Sequence, residues 1–243
     1  MVKEYSKSGK PFEKISELFI LIISMAGYVP GNAPVTRKIL MAASLAFVLF
    51  LNIFHPHNAH LAILYFCVSE VLYLGFITTV LSKNGLHRLF IKKWGENKGY
   101  LTYETMAGFL FFHNASSLGF VASAYPGNLF HFMDKGFIVV ITAILFLGGF
   151  LVKIWAAKVV TIDIYYWKDM FLGRKISEFV VTGPYKYFSN PMYGIGQIPA
   201  YAVAIWYGSA YGLSIAFINQ VLIFTFYFLV EKRFIKRVYQ HAG

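Results

Sequence analysis

The sequence predicts an all-α membrane protein: a polytopic transmembrane helical bundle of about six spans, a short N-terminal interfacial helix and a C-terminal helical hairpin. Three observations carry that expectation. Of 243 residues, 58% are apolar and only 14% charged, against about 45–50% and ~25% in ordinary soluble domains. The apolar residues fall in runs close to the roughly 20 that a helix needs to cross a ~30 Å hydrocarbon core. Basic residues, which bring the net charge to +11, collect between alternate runs rather than along the whole chain. Disorder is excluded by the aromatic and aliphatic content. A disulfide framework is excluded by the single cysteine, Cys67, inside an apolar run.

The first apolar stretch, Leu18–Tyr28, is about 11 residues long, follows Glu13, Lys14 and Glu17, and ends before Pro30 and Pro34. It is too short to span and is read as an interfacial or re-entrant helix. The absence of a small-x-small pattern argues against a cleaved signal peptide. Spans follow at Ile39–Phe54, His60–Leu81, Met106–Ala124 and Phe137–Thr161. The last block, Gly194–Val230, has 37 residues, too many for one span and enough for two short helices. Gly208, Ser209 and Gly212 place the turn between them.

Charge placement sets the expected orientation. Lysines and arginines cluster at Lys3/Lys7/Lys10/Lys14, Arg37/Lys38, Lys83–Lys98, Lys168–Lys186 and Lys232–Arg237, whereas His55–Ala59, Tyr125–Gly136 and Gly208–Gly212 hold a single lysine, Lys135. With six spans all basic clusters share one side, and the positive-inside rule puts both termini in the cytoplasm. The excess of positive charge is then topology and anionic-lipid contact, not nucleic-acid binding. Residues 1–136 hold the interfacial helix and three spans. Residues 137–243 hold three more spans and the longest non-spanning stretch, Ile162–Tyr193, where a reaction can be housed.

Polar residues at membrane depth are candidates for function or for interhelical hydrogen bonding. Glu70, with Tyr73 one turn on, and His113 with Asn114 are of this kind. Lys153 and Lys158 lie near the cytoplasmic end of their span and can snorkel. His55, His57 and His60 lack a carboxylate or cysteine nearby and are read as interfacial histidines, so no metal site is expected. Gly148-Gly149 is most simply a close helix contact.

The densest constellation lies near the C-terminus: Tyr165–Gly173, Gly183-Pro-Tyr-Lys-Tyr-Phe-Ser-Asn-Pro-Met-Tyr-Gly194 and Glu231-Lys-Arg-Phe-Ile-Lys-Arg-Val-Tyr239. The hairpin brings Asn190–Tyr193 towards Glu231. Pro191 favours an extended Asn190 and a helix start after it, leaving N–H groups free near Met192–Gly194. Such a helix end suits a carboxylate or phosphate, and Glu231 suits an ammonium. A Pro-initiated helix with an interfacial glutamate accounts for the same residues.

This ordered set resembles the core of membrane-embedded S-adenosylmethionine-dependent methyltransferases, the superfamily of phospholipid (phosphatidylethanolamine) N-methyltransferases and isoprenylcysteine carboxyl methyltransferases. Asn190-Pro-Met-Tyr193 and Tyr166-Trp-Lys-Asp-Met-Phe171 are more similar to the phospholipid branch. The resemblance covers about Gly148–Tyr239 and implies an S-adenosylmethionine pocket lined by Tyr185, Tyr187, Asn190, Pro191, Met192, Tyr193 and Gly194, with Glu231 on the methionine ammonium. It also relates Gly148 and Gly149 to a glycine motif for the cofactor. Two positions depart from it: Lys232 replaces the second glutamate of a terminal pair, and Ser189-Asn190 replaces the Arg-His of the carboxyl branch.

The implied reaction is methyl transfer to a lipid amine, with the protein orienting the partners and excluding water. An amine must lose a proton before attack, and Asp169 and Glu178 are the candidate bases. Tyr166 and Trp167, with Tyr165, Tyr185 and Tyr187, form either a cation–π wall for a methylated ammonium or an interfacial aromatic belt. Arg174 and Lys175, with Lys168 and Lys186, hold a lipid phosphate or mark the cytoplasmic side. The rival readings are the same architecture acting on a prenylcysteine carboxylate or small thiol, a non-catalytic transporter or scaffold using Glu70 and His113, and a sterol reductase of related architecture.

Overall fold

A computed structural model describes residues 11–27, 34–178 and 180–239, with side chains from residue 15 onwards. The basic cluster Lys3/Lys7/Lys10, the side chain of Lys14 and the turn around Pro30 lie outside the described residues. Among the described residues the regular structure is helical throughout: α1 (Pro11–Met25), α2 (Val35–Phe54), α3 (Ala59–Leu81), α4 (His87–Ala124), α5 (Lys135–Tyr165), α6 (Lys168–Leu172), α7 (Ile198–Trp206), α8 (Ala210–Phe226) and α9 (Lys232–Tyr239). Four segments, 35–54, 59–81, 135–172 and 210–239, are long and apolar enough to cross a membrane. The other two expected spans are the second part of α4 and the short apolar arm Ile195–Trp206, which fall outside that length and composition.

The helices start and stop where the sequence has local reasons for it. Asn58 caps α3 by accepting from Leu61 N at 3.0 Å, and Asp134 caps α5 by accepting from Phe137 N at 3.1 Å. Gly95, at φ 75°, breaks α4 into a short basic arm and a long inner segment. The hairpin turns where the glycines and serine predict. Ser209 caps α8 by accepting from Gly212 N at 3.0 Å, and Gly208 has φ 59°. A Cβ on Gly208 would lie 2.5 Å from Gly127 O, so the hairpin tip rests on the α4–α5 connection backbone to backbone. The outward faces of α2, α3, α5 and α8 carry exposed apolar side chains such as Phe54, Val71, Leu151 and Phe217. A surface this apolar belongs against lipid.

The C-terminal end of α1 docks into the bundle instead of lying free. Met25 is buried with Ile154 and Ala157 of α5. Gly27, at φ 90°, meets Gly108 of α4 so closely that a Cβ on it would sit 2.5 Å from Gly108 O. Beneath this contact Arg37 is 1% exposed, bonds Glu104 at 2.9 Å and donates to Gly27 O. The main core joins both halves of the chain: Tyr73, Tyr100 and Tyr103 pack with Tyr166, Phe171, Ile223 and Phe234.

The membrane-depth polar groups tie helices together. Glu70 accepts from Asn114 of α4 and Asn219 of α8, while its Oε1 has no partner among the described residues. His113 bonds Tyr65 at 2.7 Å and Ser44 at 3.1 Å, linking α4 to α3 and α2.

Candidate active site

The end of α5, α6, residues 177, 178 and 180–192, and α9 line one cavity. It brings together Trp167, Asp169, Glu178, Tyr185, Asn190, Met192 and Glu231 from the sequence-derived candidates. Between α8 and α9 the backbone forms a π-helical turn, Tyr227–Glu231. Such turns gather at functional sites because the extra residue re-aims a side chain. Here Glu231 closes the turn, and Phe234 and Tyr239 follow on the same cavity wall.

Glu231 is held by neutral donors. Tyr193 Oη donates to Glu231 Oε2 at 2.8 Å and Trp167 Nε1 donates to the same oxygen at 3.1 Å. Among the described residues no lysine or arginine pairs with it. Lys232, the departure from the family pattern, extends over the Phe228 ring at 5.1 Å and does not line the cavity. Asp169 is 6% exposed; its Oδ2 accepts from Tyr239 Oη at 2.9 Å and its Oδ1 from Met170 N at 2.8 Å. Tyr185 turns into the wall a buried hydroxyl that has no partner among the described residues. Burial, followed by the charge of Glu231, pushes that hydroxyl well above its usual range, so it stays protonated and able to donate.

The Asn190–Gly194 segment differs from its expected form. Regular helix begins at Ile198, and the turn before it uses its own N–H groups: Tyr193 N donates to Asn190 Oδ1 at 3.2 Å and Gly194 N to Asn190 O at 3.0 Å. Those two N–H groups are therefore spent on the turn instead of standing free for an anion. Pro191 is buried beneath it. Gln220 of α8, a residue that no motif picked out, donates to Tyr193 O at 3.0 Å and Gly194 O at 3.3 Å, and so fixes the segment.

Several candidates fall elsewhere. Gly148 and Gly149 do not line the cavity. A Cβ on Gly149 would meet Pro199 at 2.6 Å and Ile195 O at 2.9 Å, so this glycine serves the α5–α7 contact. Tyr187 is 68% exposed, with Lys186 over its ring at 6.0 Å. Arg174 forms two 2.6 Å bonds to exposed Glu96, holding that carboxyl below its usual range. Lys175 pairs with Glu178 at 2.9 Å, which leaves Glu178 on the solvent side of the cavity rim, 89% exposed in its side chain. Tyr166 donates to Ser24 O and Met25 O, both at 3.1 Å, and so pins α1.

Two non-glycine residues among those described have positive φ: Thr161 at 73° and Trp167 at 54°. Both flank the cavity, Thr161 next to Val160 and Trp167 in the wall itself. A β-branched residue at such a φ is an outlier, and strain of this kind gathers at sites whose geometry is fixed by the surroundings. Thr161 carries no sequence signal for this.

Comparison with known proteins meets the same segment. Residues 137–242 match the family model described as phospholipid methyltransferase. A phosphatidylethanolamine N-methyltransferase of Kluyveromyces lactis is 31% identical over 112 residues, 46% of this chain and 13% of that protein. Phosphatidylethanolamine N-methyltransferase B of Dictyostelium discoideum is 33% identical over 98 residues, 40% of this chain and 48% of that protein. A phosphatidylethanolamine N-methyltransferase of Eremothecium gossypii is 33% identical over 88 residues, 36% of this chain and 10% of that protein. The matched part thus spans less than half the length of each of these relatives. No solved structure matches the chain.

Proposed function

With residues 137–242 matching the family model described as phospholipid methyltransferase, we propose that this chain is an integral membrane methyltransferase that moves a methyl group from S-adenosylmethionine to the amine of a phosphatidylethanolamine-type lipid. The observation that carries this reading is Glu231: a carboxylate on the cavity wall, oriented by Tyr193 and Trp167, with no protein cation among the described residues. A carboxylate in such a place is stabilised by a cationic ligand, and the methionine ammonium of the donor is one.

The residues fit that donor. Glu231 holds the ammonium, Tyr185 offers its hydroxyl, and Trp167, Met192 and Phe234 supply apolar surface. When bound, S-adenosylmethionine supplies a methyl group activated by its sulfonium. The protein orients the two partners and keeps water out. Of the two candidate bases, Asp169 is the better placed to take the amine proton. It is buried in the cavity wall beside Tyr239, whereas Glu178 is solvated and paired with Lys175. Arg174 and Lys175, each paired with a carboxylate, are read as cytoplasmic-side markers.

Charge placement supports cytoplasmic termini and a cavity that opens to the cytoplasm, where a soluble donor arrives. Residues 1–136 act as the scaffold for the 137–243 core. Calorimetry of the purified chain with S-adenosylmethionine tests the reading: micromolar binding is expected, and its absence overturns it. Transfer of radiolabelled methyl into extracted lipids then identifies the acceptor.

A further inference from the structure

Lys153 is an ionisable group that the reaction above leaves unused. It lies in α5, eight residues before the break in the helix at Thr161. Snorkelling to the interface does not describe it. Its ammonium stands 5.2 Å from the centre of the Phe111 ring, and no carboxylate pairs with it among the described residues. The side chain lines two cavities at once. The inner one, about 650 Å³, shares Trp167 and Met192 with the cytoplasmic cavity and is also bounded by Tyr193. The outer one, about 930 Å³, lies among α1, α4, α5 and α7, with walls that include Met25, Phe146, Phe150 and Val203. Gln197 joins Lys153 at the junction of the two.

We infer that this junction seats a diacyl phospholipid, with a phosphodiester oxygen on the Lys153 ammonium, acyl chain in the outer cavity and the amine directed along the inner cavity towards Trp167. An isolated cation in a low-dielectric bundle is costly until an anion reaches it, and a phosphodiester brings one negative charge together with the apolar tail that the outer walls accept. In a lipid of the ethanolamine class two carbons separate that phosphate from the nitrogen, so anchoring the phosphate aims the amine at the wall shared with the donor cavity. The inference rests on the donor reading of that cavity only for the direction of the amine.

The test is binding to the purified full chain in neutral detergent, using short-chain phosphatidylethanolamine, diacylglycerol with the same acyl chains, and inorganic phosphate. Lys153→Gln is expected to weaken phosphatidylethanolamine at least tenfold, Lys153→Arg to keep it within threefold, and diacylglycerol to bind both proteins equally and weakly. Val203→Trp, which fills the outer cavity, is expected to weaken the phospholipid at least fivefold without changing S-adenosylmethionine affinity, and it serves if Lys153→Gln does not fold. Unchanged phospholipid affinity in Lys153→Gln, or in Val203→Trp where the lysine variant fails, overturns the inference. So does full competition by inorganic phosphate, which marks a free-anion site, or by diacylglycerol, which marks an apolar groove alone. The two readings fail separately. Lysine-dependent phospholipid binding without S-adenosylmethionine binding removes the donor and keeps the seat; S-adenosylmethionine binding without lysine dependence does the reverse.

Discussion

Tyr193 and Glu231 are 38 positions apart, and the tyrosine hydroxyl donates to Glu231 Oε2 at 2.8 Å. Removing the carboxylate charge with Glu231→Gln is predicted to lower S-adenosylmethionine affinity at least tenfold by calorimetry. Tyr193→Phe removes one of two donors that orient it. Hydrogen bonds to charged groups contribute about 1.5–3 kcal/mol, so a loss of about tenfold is expected. Normal affinity in Glu231→Gln would sink the ammonium assignment.

The adjacent glycines of α5 separate a cofactor role from a packing role. A Cβ on Gly148 would meet nothing within 4 Å, whereas one on Gly149 would run into Pro199 and Ile195 O. Gly148→Ala is predicted to leave both melting temperature and S-adenosylmethionine affinity unchanged. Gly149→Ala is predicted to lower stability by about 1–3 kcal/mol through overpacking against α7, read by thermal unfolding in detergent.

Thr161 carries its φ of 73° with ψ 159°, a region that glycine alone adopts freely. Such strain costs on the order of 1–3 kcal/mol, and glycine gives back about 0.5–1 kcal/mol in chain entropy. Thr161→Gly is therefore predicted to stabilise the protein by about 1 kcal/mol, while Thr161→Ala, which keeps a Cβ, gains nothing. Equal melting temperatures for the glycine and alanine variants would refute the strain.

The Arg37–Glu104 pair is buried on both sides, with side chains 1% and 8% exposed. Arg37→Met alone strands a buried carboxylate and is predicted to cost about 3–5 kcal/mol. The double variant Arg37→Met/Glu104→Leu should recover most of that loss. A double variant as unstable as the single one would show that the arginine acts through Gly27 O instead.

What was legible in the sequence followed from local rules. The hairpin was visible because Gly208, Ser209 and Gly212 leave few alternatives for the chain, and Ser209 caps α8 as that pattern implies. The proximity of Asn190–Tyr193 to Glu231 followed from the hairpin. The Asn190 side chain, however, caps its own turn, a competition between local hydrogen bonds that the proline rule alone does not resolve. Lys153, Gln220 and Thr161 were not legible. The direction in which a lysine on a span points depends on which neighbours pack beside it. No propensity places threonine at positive φ. Arg174 and Lys175 are open in the sequence to holding a lipid phosphate or marking the cytoplasmic side, and the fold pairs them with Glu96 and Glu178.

Three successive side chains, Tyr165, Tyr166 and Trp167, serve three different places. Tyr165 faces the inner and outer cavities, Tyr166 anchors the end of α1, and Trp167 steadies Glu231. Their order along the backbone acts as a phase. A single-residue insertion or deletion between Thr161 and Tyr165 would shift all three duties together, leaving each side chain aimed at its neighbour's target. A change in length here would require the α1 anchor, the wall of the two cavities and the glutamate support to be rebuilt together.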